Sequence, residues 1–249
     1  MLQTAEGTIG GKHFRPLDHD LARLRDLILV MGGWVERAIR DAIRALIECD
    51  EELARLTIER DGEINRMEIE TDTFARTTII RRQPVGSDLR AITGALKIVT
   101  DLERIGDRAA EICRQSLEME VRTRKFENYL EVMADHVRRQ VTQALDAYSS
   151  RDHRRALTVI DLDKHVDTLC RNYERNMLTV IMEDQRLITP ALALMNVAQA
   201  LERISDHATN ICEMVIYIHL GHDIRHVSQE EALKMLDLKE GEWSPPTSW

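Results

Sequence analysis

Leu102-Glu103-Arg104-Ile105-Gly106-Asp107 returns 99 positions later as Leu201-Glu202-Arg203-Ile204-Ser205-Asp206, with a single change in six residues. The match extends past the motif, because Ile112-Cys113 returns as Ile211-Cys212 at the same separation. Around the second copy, Leu194, Val197, Leu201, Ile204, Ala208, Ile211, Val215 and Ile218 follow one another at three- and four-residue intervals. That spacing makes one face of a helix apolar, and such a face must be buried against partner helices. Ala95, Ile98, Leu102, Ile105, Ala109 and Ile112 give the first copy the same face. A shared stripe in a shared register identifies an internal repeat built of helices.

The repeat reaches back to earlier helices at a separation of 102, where Met31 and Met133, Val35 and Val137, Asp50 and Asp152, and Asp61 and Asp163 correspond. A three-residue length change therefore precedes the third helix of the repeat. All five prolines (Pro16, Pro84, Pro190, Pro245 and Pro246) fall where periodicity starts or stops, which leaves long uninterrupted helical stretches. Caps and periodicity together predict helices over about 17–49, 51–82, 87–118, 125–149, 152–183 and 190–220. Asp50, Ser87, Asp152 and Thr189 are the expected N-caps, Pro190 the first residue of the sixth helix, and Gly221 its stop. The fold class is all-α: two tandem pseudo-symmetric three-helix bundles. The expected divisions are a flexible N-terminus over 1–16, a first bundle over 17–121, a second over 122–221, and a C-terminal tail over 222–249 containing one short amphipathic turn.

Composition agrees. The 249 residues are 43% hydrophobic and 31% charged, enough for a core under a solvated surface, while aromatics are only 4%. The formal charge of -9, with acids interleaved among all basic stretches, argues against nucleic acid as a partner. No stretch reaches the roughly 18–20 apolar residues that span a bilayer, and Met1 to Lys12 lacks the apolar core of a signal peptide, so a cytoplasmic location is expected. The four cysteines (Cys49, Cys113, Cys170, Cys212) form no Cys-x-x-Cys pair and read as buried, reduced thiols.

The polar content of the repeat is its second message. Glu103 and Asp107 are four apart and project from one side of a helix, as do Glu202 and Asp206. Each pair sits one position beside the apolar stripe, at the edge of the core. On the preceding helices Asp61 and Asn65 mirror Asp163 and Asp167, again four apart, and antiparallel neighbours bring the pairs together. Carboxylates clustered this way repel one another, whereas a divalent or trivalent cation turns them into a binding site. All-oxygen ligation points to a hard ion such as Fe, Mn, Mg or Ca, with Zn less suited and no single metal selected. The first set, carrying Asn65 in place of an acid, should bind more weakly. Glu-x-x-x-Asp on a helix is common on solvated faces, and salt bridges to Arg104, Arg108 or Arg203 are the plain alternative reading; the repetition favours the metal.

Other features carry less. Gly32-Gly33 inside the first helix implies close helix contact or a kink. His136, His153, His165 and His207 have no recurrent Ser or Cys partner and read as surface residues. No phosphate-cradling glycine motif is present.

Met31-Gly32-Gly33, Arg82-Gln83-Pro84 with Ser87-Asp88-Leu89-Arg90, the two Glu-Arg-Ile-x-Asp motifs and Met182-Glu183-Asp184 together resemble the PhoU family, over about Phe14 to Val227. Ser205 stands where the family usually has Gly, a small-for-small change expected to leave the site unaltered. The resemblance implies a six-helix, often dimeric protein whose acidic motifs hold multinuclear metal clusters, here on Glu103/Asp107 and Glu202/Asp206 with Asp61 and Asp163/Asp167. It also implies a non-catalytic negative regulator of the phosphate-starvation response, linking the ATPase of the phosphate ABC transporter to the phosphate sensor histidine kinase and meeting the membrane only peripherally through those partners. The rival from another class is a carboxylate-bridged metalloenzyme of ferritin-like type, whose Glu-x-x-His ligand pattern is missing because no His has a Glu three residues before it. A metal-free structural adaptor is the third reading.

Overall fold

The computed structural model describes residues 15–119, 124–225, 227 and 229–235. Six long helices dominate: α1 (Pro16–Glu48), α2 (Glu51–Arg82), α3 (Ser87–Glu118), α4 (Arg124–Ser150), α5 (His153–Glu183) and α6 (Ile188–Leu220). A short α7 (Gln229–Met235) follows, and no strand occurs among the described residues. The N-terminal lead-in up to Phe14 and Pro245-Pro246 lie outside the described residues.

Local chemistry sets the helix ends. Asp50 accepts a hydrogen bond from the Leu53 N–H at 2.9 Å, and Asp152 accepts from Arg154 and Arg155 at 3.0 Å each, so both N-caps act as expected. Gly221 closes α6 in the left-handed conformation with φ 78°. Two caps differ from expectation. Ser87 is the first residue of α3 behind Gly86, whose φ of 58° suits glycine alone without strain. Thr189 lies inside α6, because the 3-10 turn Gln185–Leu187, capped by Asp184, leads directly into the helix and starts it at Ile188. Pro190 is thus in the first turn but is not its first residue.

Within each half the three helices pack on one another, α2 against α1 and α3, and α5 against α4 and α6. The halves then join through α3 lying antiparallel along α6, and α1 along α4. Partner numbers fall as the chain rises: Gly94 meets Ile218, Asp101 meets His207, and Gln115 meets Asn196. The stripes on α3 and α6 are buried throughout, with only Ile218 at the half-buried end, and they merge into one continuous core. Close approach between the halves is made at glycine. A Cβ on Gly32 would lie 2.7 Å from Leu145 Cδ1, and one on Gly94 would lie 2.4 Å from Ile218 Cγ1. Gly33 has open space around it, so the close contact belongs to Gly32 alone.

Two expectations are corrected here. Cys113, Cys170 and Cys212 are buried free thiols, with burial pushing Cys113 and Cys170 up to about 12, but Cys49 is exposed at the left-handed end of α1. His207 is no surface residue: only 13% exposed, it places Nδ1 2.9 Å from Asp101 across the α3–α6 seam, where the Asn210 amide donates to the same oxygen at 3.1 Å.

Candidate functional site

The acidic pairs meet where α2 crosses α3 and where α5 crosses α6. In the first half, Asp61 on α2 is buried and points at Gly106 on α3: a Cβ there would sit 3.1 Å from Asp61 Oδ1 and 3.0 Å from Ile64 Cδ1. Burial raises Asp61 above the usual carboxylate range, the Asp107 charge adds to the rise, and Arg114 opposes it. Glu103 is raised for the same reasons, by burial first and then by Asp107, Glu68 and Asp61. Asp61 Oδ1 and Asn65 Oδ1 are both buried without a hydrogen-bond partner. Two orphaned acceptor oxygens among mutually repelling carboxylates make an oxygen-only set that a cation, a proton or a water molecule satisfies.

The second half repeats the placement with different supporting residues. Burial raises Asp163, with Asp206 and Asp167 adding to it. Glu202 is raised by burial and then by Asp167 and Asp206. Here Ser205, fully buried, stands where Gly106 stands in the first half, and its Oγ lies 2.7 Å from Asp163 Oδ1 and 2.6 Å from Gln140 Oε1. Gln140 donates in turn to the Val159 carbonyl at 3.4 Å. The Ser205 hydroxyl thus sits between Asp163 and Gln140, and its hydrogen bond to Asp163 opposes the rise that burial causes. Ser205 is therefore not a neutral replacement for glycine: it fills the space that Gly106 leaves to Asp61 and satisfies the carboxylate that the first half leaves orphaned.

The structure brings the seven acids into two electrostatically coupled sets, Asp61/Glu103/Asp107, with Asn65 beside Asp61 and opposing its rise, and Asp163/Asp167/Glu202/Asp206. Among the described residues, however, no three His, Cys, Asp or Glu side chains converge tightly enough to hold an ion as they stand. The salt-bridge alternative applies at one point: Arg203 pairs with Asp206 at 3.0 Å, an exposed contact worth little. Arg108 pairs with Glu111 instead.

Sequence reasoning missed four contributors. Glu68 and Glu174 raise Glu103 and Glu202 from the same faces of α2 and α5, at spacings of three from Asn65 and seven from Asp167 that mark one helix face. Gln140 is a polar residue within the buried stripe of α4, a legible anomaly. Glu213 is the fourth, and it replaces Arg114 of the first half, so a cation that eases Asp61 becomes an acid that adds to Asp163's surroundings.

Glu213 also yields a test. Burial pushes its carboxyl up to about 7 from an ordinary 4.5, against the pull of Arg225 and with Asp223, Asp101 and Asp163 adding to the rise. Between those pH values the unfolded chain ionises first, so stability falls as pH rises from about 4.5 through 7. Glu213→Gln should flatten that decline in thermal melts between pH 5 and 8; an unchanged slope would show that the buried carboxyl is not its source.

Fold and site together define a tandem-repeat helical bundle carrying one acidic cluster per repeat. The PhoU domain family matches residues 28–116 and 130–215, and the chain belongs to that family. A phosphate-specific transport system accessory protein PhoU homolog of Pseudomonas putida is 42% identical over 84% of this chain and 82% of its own length. The phosphate-specific transport system accessory protein PhoU of Escherichia coli K12 is 36% identical over 90% and 93%. The crystal structure of PhoU from Pseudomonas aeruginosa superposes with a TM-score of 0.77 at 38% identity, covering 83% of this chain and 100% of that one. No helix among the described residues is long and apolar enough to cross a membrane.

Proposed function

We propose that this protein is an accessory regulator of phosphate transport that works by contact and has no catalytic activity of its own. Its partners in this reading are the ATPase of the phosphate ABC transporter and the phosphate sensor histidine kinase, met at the cytoplasmic side of the membrane by a homodimer. The observation that carries the reading is membership of the PhoU family over both repeats, whose relatives are named as accessory proteins of phosphate-specific transport. Contact surface is available in equivalent places on the two repeats: Ile80 and Val85 are 76% and 79% exposed at the α2–α3 corner, and Met182 is 85% exposed at the α5–α6 corner.

In this reading each acidic set holds a hard cation, with Asp61, Asn65, Glu103 and Asp107 serving one and Asp163, Asp167, Glu202 and Asp206 the other. The orphaned oxygens of Asp61 and Asn65 support it. A bound ion would fix α2 against α3 and α5 against α6 by neutralising their facing carboxylates, and so set the shape offered to partners.

The test is a phosphate-regulon reporter in phosphate-rich medium. Deletion of the gene should derepress it, and so should a folded protein carrying Glu103→Ala, Asp107→Ala, Glu202→Ala and Asp206→Ala. An unresponsive reporter on deletion would remove the regulatory reading; derepression by deletion alone would leave a regulator whose clusters are not needed.

A further inference from the structure

A cavity of about 500 Å³ opens at one end of the bundle, between the N-terminal turns of α1 and α3 and the C-terminal turns of α4 and α6. It is remote in the chain from both acidic sets, and its charges are distributed unevenly. The two carboxylates in its lining, Asp18 and Asp88, share Arg15, at 2.7 and 3.2 Å. The two guanidiniums in its lining, Arg25 on α1 and Arg151 at the end of α4, take part in no ion pair among the described residues. Arg25, Arg151 and Tyr148 line the same cavity, and both guanidiniums act electrostatically on the Tyr148 hydroxyl. Two unpaired cations converging in one cavity repel each other and gain most from an anion carrying two charges.

The remainder of the wall narrows the ligand. Leu24, Val215 and Ile218 make it largely apolar, and its volume is that of a small-molecule site and far exceeds what one tetrahedral oxyanion fills. A phosphate monoester is close to a dianion at neutral pH and has three terminal oxygens, enough to engage two guanidinium forks and a neutral donor. Resting on this cavity and independently of the regulatory reading, we propose that the end of the bundle binds a phosphate monoester with an apolar or aromatic body, its phosphoryl group held by Arg25, Arg151, Tyr148 and Ser87. The monoester can come from a soluble compound or from phosphatidic acid, and the chemistry of recognition is the same.

Calorimetric titration of the full-length protein with phenyl phosphate, and separately with inorganic phosphate, tests this. Phenyl phosphate should bind at least tenfold more tightly than inorganic phosphate, because only the ester fills the apolar wall. Arg25→Gln/Arg151→Gln, confirmed folded by circular dichroism, should weaken it by about a hundredfold, about tenfold for each charged hydrogen-bonding partner. Arg25→Lys/Arg151→Lys should recover part of the loss. Binding to phosphatidic acid vesicles but not to phenyl phosphate, again lost in the Gln pair, would assign the same site to a lipid source. No binding of either probe, or binding that the Gln pair leaves unchanged, overturns the proposal.

Discussion

Leu201→Ala is expected to lower the unfolding free energy by about 2–5 kcal/mol, the usual cost of a fully buried leucine truncated in a core that cannot collapse around the gap. The more telling expectation is where that loss is felt. Leu201 lies on the α6 stripe, which packs on α4 and α5 within its own half and along α3 of the other, and one continuous cluster runs through all six helices. Urea unfolding followed by circular dichroism should therefore stay a single transition shifted to lower denaturant. Hydrogen exchange should show α1–α3 losing protection together with α4–α6. Protection retained in α1–α3 while α4–α6 opened would mean that the halves fold as independent bundles.

The second large effect concerns the clusters. A cation that binds only the folded chain stabilises it by about 2.7 kcal/mol at a hundredfold excess over its dissociation constant. For a chain of this size each kcal/mol corresponds to about 2–4 °C, so saturating Mn²⁺ is expected to raise the melting temperature by about 5–10 °C for each set it fills. Glu103→Ala/Asp107→Ala/Glu202→Ala/Asp206→Ala should abolish that rise. Without metal at pH 7.5 the variant should be no less stable than the parent, because Glu103 and Glu202 both have raised pKa values, so their ionised forms weigh against folding there. A rise that persisted in the variant would place the cation elsewhere. Treating the two halves separately should show the first set binding more tightly, the reverse of what Asn65 alone suggests, because Ser205 already occupies Asp163 whereas Asp61 has an oxygen with no partner.

The interface between the halves was written in small residues but could not be read from them. Gly32 stood out in the sequence as a helix-interior glycine, yet that the side chain it admits is Leu145 depends on α1 meeting α4. Gly94 gave no signal of its own, and the structure shows it admitting Ile218. His207 read as a surface residue because no Ser or Cys partner recurs beside it in the sequence. Only the antiparallel seating of α6 on α3 supplies Asp101 and converts an exposed position into a partly buried hydrogen-bonded contact. Ser205 for Gly106 read as one small residue for another, and the difference appeared once Asp163 and Gln140 were found on either side of it.

What the sequence by itself determined was most of what is set within one helix or by the repeat: the six helices, their apolar faces, the caps at Asp50 and Asp152, the stop at Gly221, and the pairing of acids four apart. Those features are local, since the helical period and the capping hydrogen bonds involve neighbours in the chain. The tertiary structure alone decided which helices from different halves share a core, which buried oxygens are left without a partner, and that Arg25 and Arg151 line one cavity. Each of these depends on contacts between residues far apart in sequence, whose geometry is set by how side chains of facing helices interdigitate and not by the periodicity of either helix.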